Sequence, residues 1–208
     1  MAAKKAKRRT KESPDARDLL VLELQEIHSA ESQLSRALPR ITREVESEQL
    51  RQMLEQRLRE GEQVIAEVEA ALEELEESPG RKKNVAAEGL INDAREHVQE
   101  IEAGPALDAV LIGAVQKTEH YCIAAWGTAR SLAQATEQNS AAKALERALK
   151  EGKKFDQQLT QLAEEEVTPA LLELAQEGES EEADDDEAGS GSRRGRSARG
   201  DRDKRTSA

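Results

Sequence analysis

Apolar residues recur along this chain at alternating spacings of four and three, and the slots where that rhythm breaks are as informative as the rhythm. Leu20, Leu24, Ile27, Leu34, Leu38 and Ile41 form one such series, the stripe of a helix face turned toward a core. Residue 31, the slot between Ile27 and Leu34, is Glu. Leu54, Leu58, Ile65, Val68, Leu72 and Leu75 predict a second helix over 47–77, with Gly61 and Glu62 in the gap after Leu58. "SPD" at 13–15 supplies a cap and a first-turn proline for the first helix, and "SPGRKK" at 78–83 ends the second. "NVAAEGLINDAREHVQEIEAG" reads as a shorter helix closed by Gly104 and Pro105. A third long helix, 106–135, carries Leu111, Val115, Cys122, Trp126 and Ala129, with Glu119 in its open slot. A fourth, 139–175, carries Leu145, Ala148, Phe155, Leu159 and Leu162; its open slot holds Gly152, and Pro169 kinks it or ends its regular part.

Four helices of about 30 residues are each roughly 45 Å long, and they bury their stripes against one another. The predicted fold is all-α, an antiparallel four-helix bundle. Short connections at 45–48 and 135–139 make two hairpins, and the long middle connection, with its extra short helix between helices two and three, allows a ferritin-like crossover. Glu31, Glu62 and Glu119 fall near the midpoints of their helices and so at one height. Carboxylates meeting in a core repel one another, and protons, a cation or a metal must resolve the conflict. Inward-facing carboxylates with a histidine or second carboxylate a turn away are the ligands of di-iron and di-manganese bundles, and oxygen-rich donors suit those metals.

Composition sharpens the picture. Of 208 residues 36% are charged and 1% aromatic, so the chain is rich in helix formers and nearly devoid of large rings. The net charge of −12 is uneven. Residues 1–13 form a basic arm, residues 14–176 the bundle, and residues 177–208 an acidic then basic tail without apolar periodicity, expected to be disordered. The acidic body opposes nucleic acid, leaving the basic ends as its one route to weak phosphate contact. No apolar run reaches the length of a membrane span, and one cysteine forms no internal disulfide, which fits a cytoplasmic setting. The chain has no Gly-rich phosphate loop, Ser nucleophile elbow or paired-Cys motif, and this turns the reading away from hydrolase and nucleotide chemistry.

Three segments, "EIHSAESQLSRALPRI" at 26–41, "AAEGLINDA" at 86–94 and "AVQKTEHYCIAAWGTARSLA" at 114–133, resemble signature stretches of the YciE/YciF family of ferritin-like stress-associated proteins, in the same order over about 15–165. The resemblance implies a homodimer and a dinuclear iron or manganese centre, with no established reaction. Glu31 matches the carboxylate of "SAExxL", Glu62 the second member of an acidic pair on helix two, and Glu119 the glutamate of "EHYE". Three positions depart: Arg59 stands for the first member of that pair, Cys122 ends "EHYE", and Gly152 fills the slot of an acidic run. Two expectations follow. In one, a reduced iron or manganese centre uses Glu31, Glu62 and Glu119, helped by His28 or Asp156, and ferroxidase or peroxide chemistry belongs to it. In the other, no metal binds, Arg59 closes an ionic cluster with the three glutamates, and the chain is a helical dimer with a structural or interaction role. His120 is expected at the surface or behind a ligand, Cys122 as a small buried hydrophobe, and Trp126, Tyr121 and Phe155 as packing around the polar layer.

Overall fold

A computed structural model describes residues 13–176 of the chain. The 177–208 tail and the basic arm, Ser13 apart, lie outside the described residues. Five α-helices follow one another: α1 (Ala16–Glu44), α2 (Glu48–Glu74), α3 (Val85–Glu100), α4 (Pro105–Ala135) and α5 (Asn139–Leu162). Among the described residues there is no strand. A π-helical turn, Ala163–Val167, follows α5, so the regular part of the last helix ends before Pro169 rather than at it. Residues from Pro169 onward form a separate unit, of which the described part, 169–176, is helical.

The first three helices each start where a side chain satisfies free amides. Asp15 and Asp18 form a reciprocal capping box on α1, Ser47 accepts from Leu50 N–H on α2, and Asn84 accepts from Ala87 N–H on α3. α2 and α4 end alike. Glu77 N–H donates to Leu72 O and Gln138 N–H to Ala133 O, with Glu76 and Glu137 at φ of 57° and 60°, the Schellman closure in which the chain turns through a left-handed residue.

α1 and α2, and α4 and α5, are the two hairpins. α1 also packs on α4 and α2 on α5, while α3 lies over α1 and α4. The end of α1 meets the start of α4, because Asp108 in the first turn of α4 accepts from Glu46 N–H at 3.1 Å and Ser47 N–H at 2.7 Å. Neighbouring members of the four long helices are thus antiparallel and the 75–104 connection runs the length of the bundle, the ferritin-like arrangement. Asn84 anchors that connection: its backbone N–H donates to Ser29 Oγ, and its amide donates to Glu26 O and the Tyr121 hydroxyl.

Asp108 is 2% exposed, so its removal leaves two amides without an acceptor at the α1–α2 corner. Asp108→Ala is expected to lower unfolding free energy by about 1–3 kcal/mol, read by urea titration; Asp108→Asn, which keeps one acceptor, loses less.

A candidate ionic site in the bundle core

On α1 the stripe behaves as its spacing predicts, with Leu20, Leu24, Ile27, Glu31, Leu34, Leu38 and Ile41 all buried. On α4, Val115, Glu119, Cys122 and Trp126 are buried in register with it. α2 differs. Its buried face is Leu50, Leu54, Arg57, Gly61, Val64 and Val68, whereas Leu58 and Ile65 are only half-buried at its flanks. The core cation is therefore Arg57, not Arg59. Arg59 is exposed and donates to Gln56 Oε1 on its own helix.

Arg57 is 3% exposed, Glu31 1% and Glu119 2%. Nη1 and Nη2 of Arg57 donate to Glu31 Oε2 at 3.1 Å and Oε1 at 3.0 Å, a bidentate fork, and Nε donates to Glu119 Oε2 at 2.6 Å. The guanidinium carbon lies 5.5 Å from the Trp126 ring centroid, within cation–π range. Two glycines make the room. A Cβ on Gly61 would sit 2.9 Å from Arg57 Nη1 and 3.0 Å from Glu31 Oε2, and one on Gly152 would sit 2.5 Å from Glu119 Oε1.

One charge is left over. Glu119 Oε1 is buried with no hydrogen-bond partner among the described residues, as is Trp126 Nε1. Burial raises the Glu119 carboxyl above its ordinary value, and Arg57 counters only part of that. For Arg57 burial works against the charge, but Glu31 and Glu119 outweigh it and hold the guanidinium well above its ordinary value. Burial, reinforced by Glu31, pushes the Cys122 thiol well up; it stays protonated, unsuited to ligation or nucleophilic attack.

Of the other residues singled out by sequence, none joins this cluster. Glu62, one position beyond Gly61, is exposed on the outside of α2. His28 pairs through Nε2 with Glu69 Oε1 at 2.8 Å. Asp156 lies 3.3 Å from His120 Nε2 and accepts from Gln116 Nε2 at 3.1 Å, on the outer side of α4 and α5. His120 is exposed and Phe155 buried, as their positions imply. Among the described residues no three His, Cys, Asp or Glu side chains converge as a metal-holding group. The donor set does not fit a dinuclear centre: a fixed cation stands between the two core carboxylates and occupies three of their four oxygens.

Arg57 was hidden in the sequence by its neighbours. The series 50, 54, 57, 61, 64, 68 keeps the four-and-three spacing without a gap, but Arg and Gly in core slots read as polar and Leu58 and Ile65 beside them as core. The signal that finds it is the pairing of Arg57 with Gly61 one turn on, a long side chain followed by the space to hold it.

Comparison with known proteins places the chain. Residues 15–172 match a family described as a domain of unknown function, DUF892. Protein YciF of Escherichia coli (strain K12) is 40% identical over 147 residues, covering 70% of this chain and 89% of YciF. The crystal structure of the E. coli stress protein YciF matches with a TM-score of 0.69 at 38% identity, over 73% of this chain and 96% of that one. YcfI from Rhodopseudomonas palustris, provisionally described as a structural protein, matches with a TM-score of 0.68 at 29% identity, over the same 73% and 96%.

Proposed function

The chain belongs to the YciF-like DUF892 family, and on that footing we propose that it is a metal-free helical structural or interaction protein of the stress setting from which its E. coli relative is named. One observation carries this reading: Arg57 binds both oxygens of Glu31 and one of Glu119 inside the bundle. A divalent ion and a guanidinium cannot share that space, and a metal entering it would have to expel a paired, buried cation. The description of the relative from R. palustris as structural supports the same side. The working unit in this reading is a cytoplasmic homodimer. No helix among the described residues is long and apolar enough to cross a membrane.

The test is elemental analysis of protein purified without a metal-binding tag, after anaerobic incubation with ferrous iron or manganese and desalting. Metal well below one ion per chain is expected, with a dimer in analytical ultracentrifugation before and after loading. One or two ions per chain, lost in Glu31→Ala and Glu119→Ala, would instead establish a metal protein.

A further inference from the structure

A groove of about 370 Å³ opens between α1 and α3, lined by Gln33, Arg36, Lys83, Glu88, Asn92 and Arg95 among others. Three cations around one carboxylate is an unusual lining for a chain with net charge −12. Lys83 pairs with Glu88. Neither Arg36 nor Arg95 has an acidic partner among the described residues, and Arg95 makes only a 3.5 Å contact with Asn92 Oδ1. Beneath them Gln33, 8% exposed, is fixed by donating to Asn84 O at 3.0 Å. The groove thus has a polar floor tied to the backbone and, at its walls, two guanidinium forks with no carboxylate partner among the described residues.

With Glu88 counted against the three cations, the lining carries a net charge of +2 (three positive, one negative), which complements the roughly −1.5 to −2 of a phosphomonoester at neutral pH. Guanidinium forks suit phosphate oxygens in bidentate geometry, and the volume lies at the small end of ligand pockets. We propose that this groove binds a small phosphorylated molecule, its phosphate or pyrophosphate group held between Arg36 and Arg95 with Lys83 at the rim. This is independent of the core cluster and of whether a metal binds there.

Arg40 and Arg43 continue the Arg36 face at the helical spacing of one and two turns, so a nucleic-acid backbone would engage them as well. A small phosphate would not. Isothermal titration with inorganic pyrophosphate at low ionic strength separates the two, run beside a short DNA duplex. Saturable one-to-one binding of pyrophosphate is expected. The exposed double variant Arg36→Gln/Arg95→Gln should weaken it at least about tenfold, since each charge-assisted hydrogen bond is worth on the order of 1.4 kcal/mol or more. Arg40→Gln/Arg43→Gln and Arg59→Gln should leave it unchanged. Absence of saturable binding, or an equal loss in Arg59→Gln, would overturn the proposal. So would duplex binding that depends on Arg40 and Arg43 with no affinity for pyrophosphate.

Discussion

Arg57→Met is expected to destabilise the bundle by about 3–5 kcal/mol, the loss seen when one partner of a buried ionic network is removed. The reason is what it leaves behind. Glu31 and Glu119, 1% and 2% exposed, would face each other in the core with no cation and with three carboxylate oxygens newly unpaired. The loss should depend on pH, with a sign that follows from Glu119. Its carboxyl is already held above its ordinary value by burial even beside Arg57, so without Arg57 it rises further. A carboxyl raised in the folded state binds its proton more tightly there than in the unfolded chain. Its contribution is fully present below the unfolded value, about 4.3, and disappears as pH rises through the folded value. Denaturant titrations of Arg57→Met should therefore show a smaller deficit at mildly acidic pH than at neutral or alkaline pH. Replacing all three members together, as Glu31→Leu/Arg57→Met/Glu119→Leu, should recover most or all of the stability, because apolar residues of similar volume do as well as a buried ionic triad. If Arg57→Met alone is as stable as the parent at neutral pH, the cluster does not exist as described.

How far the site was legible before the structure depends on which helix is considered. On α1 and α4 the apolar stripes have one reading, and each has one carboxylate in a core slot, so Glu31 and Glu119 follow from spacing alone. On α2 two stripes overlap: Leu54 and Val68 belong to both, Leu58 and Ile65 mark one, and Arg57, Gly61 and Val64 mark the other. Apolarity alone favours the first, yet burial follows the second, because Arg57 meets two carboxylates and pays its desolvation through them. That one-residue shift turns Glu62 by about 100° and out of the core. His28 fails for a related reason. Three residues before Glu31 is about 60° off its face, which is enough to leave the bundle interior and reach Glu69. Asp156 is four residues from Gly152, but Phe155, three away, takes the core position. Helical spacing names the residues close to a face, and a slot one residue off the centre of the stripe is settled only by the side chains packed across from it.

Gly152→Ala is the second large effect, and two opposing terms fix its sign. In an exposed helix interior alanine is favoured over glycine by about 0.8–1 kcal/mol. At Gly152, however, the new Cβ would lie 2.5 Å from Glu119 Oε1, 2.5 Å from Trp126 Cζ3 and 3.3 Å from Cη2. Neither neighbour yields easily. The other oxygen of Glu119 is held by Arg57, and Trp126 is a rigid ring, 2% exposed, with that guanidinium near its face. Overpacking costs about 1–3 kcal/mol, and contacts this short put Gly152→Ala in the upper part of that range; set against the gain in propensity, a net loss of about 1–2 kcal/mol is expected in urea titration. Gly113→Ala, on α4 with nothing within 4 Å of the added Cβ, is the matched control and should gain about 0.5–1 kcal/mol. Trp126, the one tryptophan in the chain, reports the displacement directly: its emission should change in Gly152→Ala and not in Gly113→Ala. Equal stability and equal emission in the two variants would mean that the indole and the unpartnered carboxylate oxygen do not rest against Gly152. The missing side chain at this position would then have no part in building the cluster.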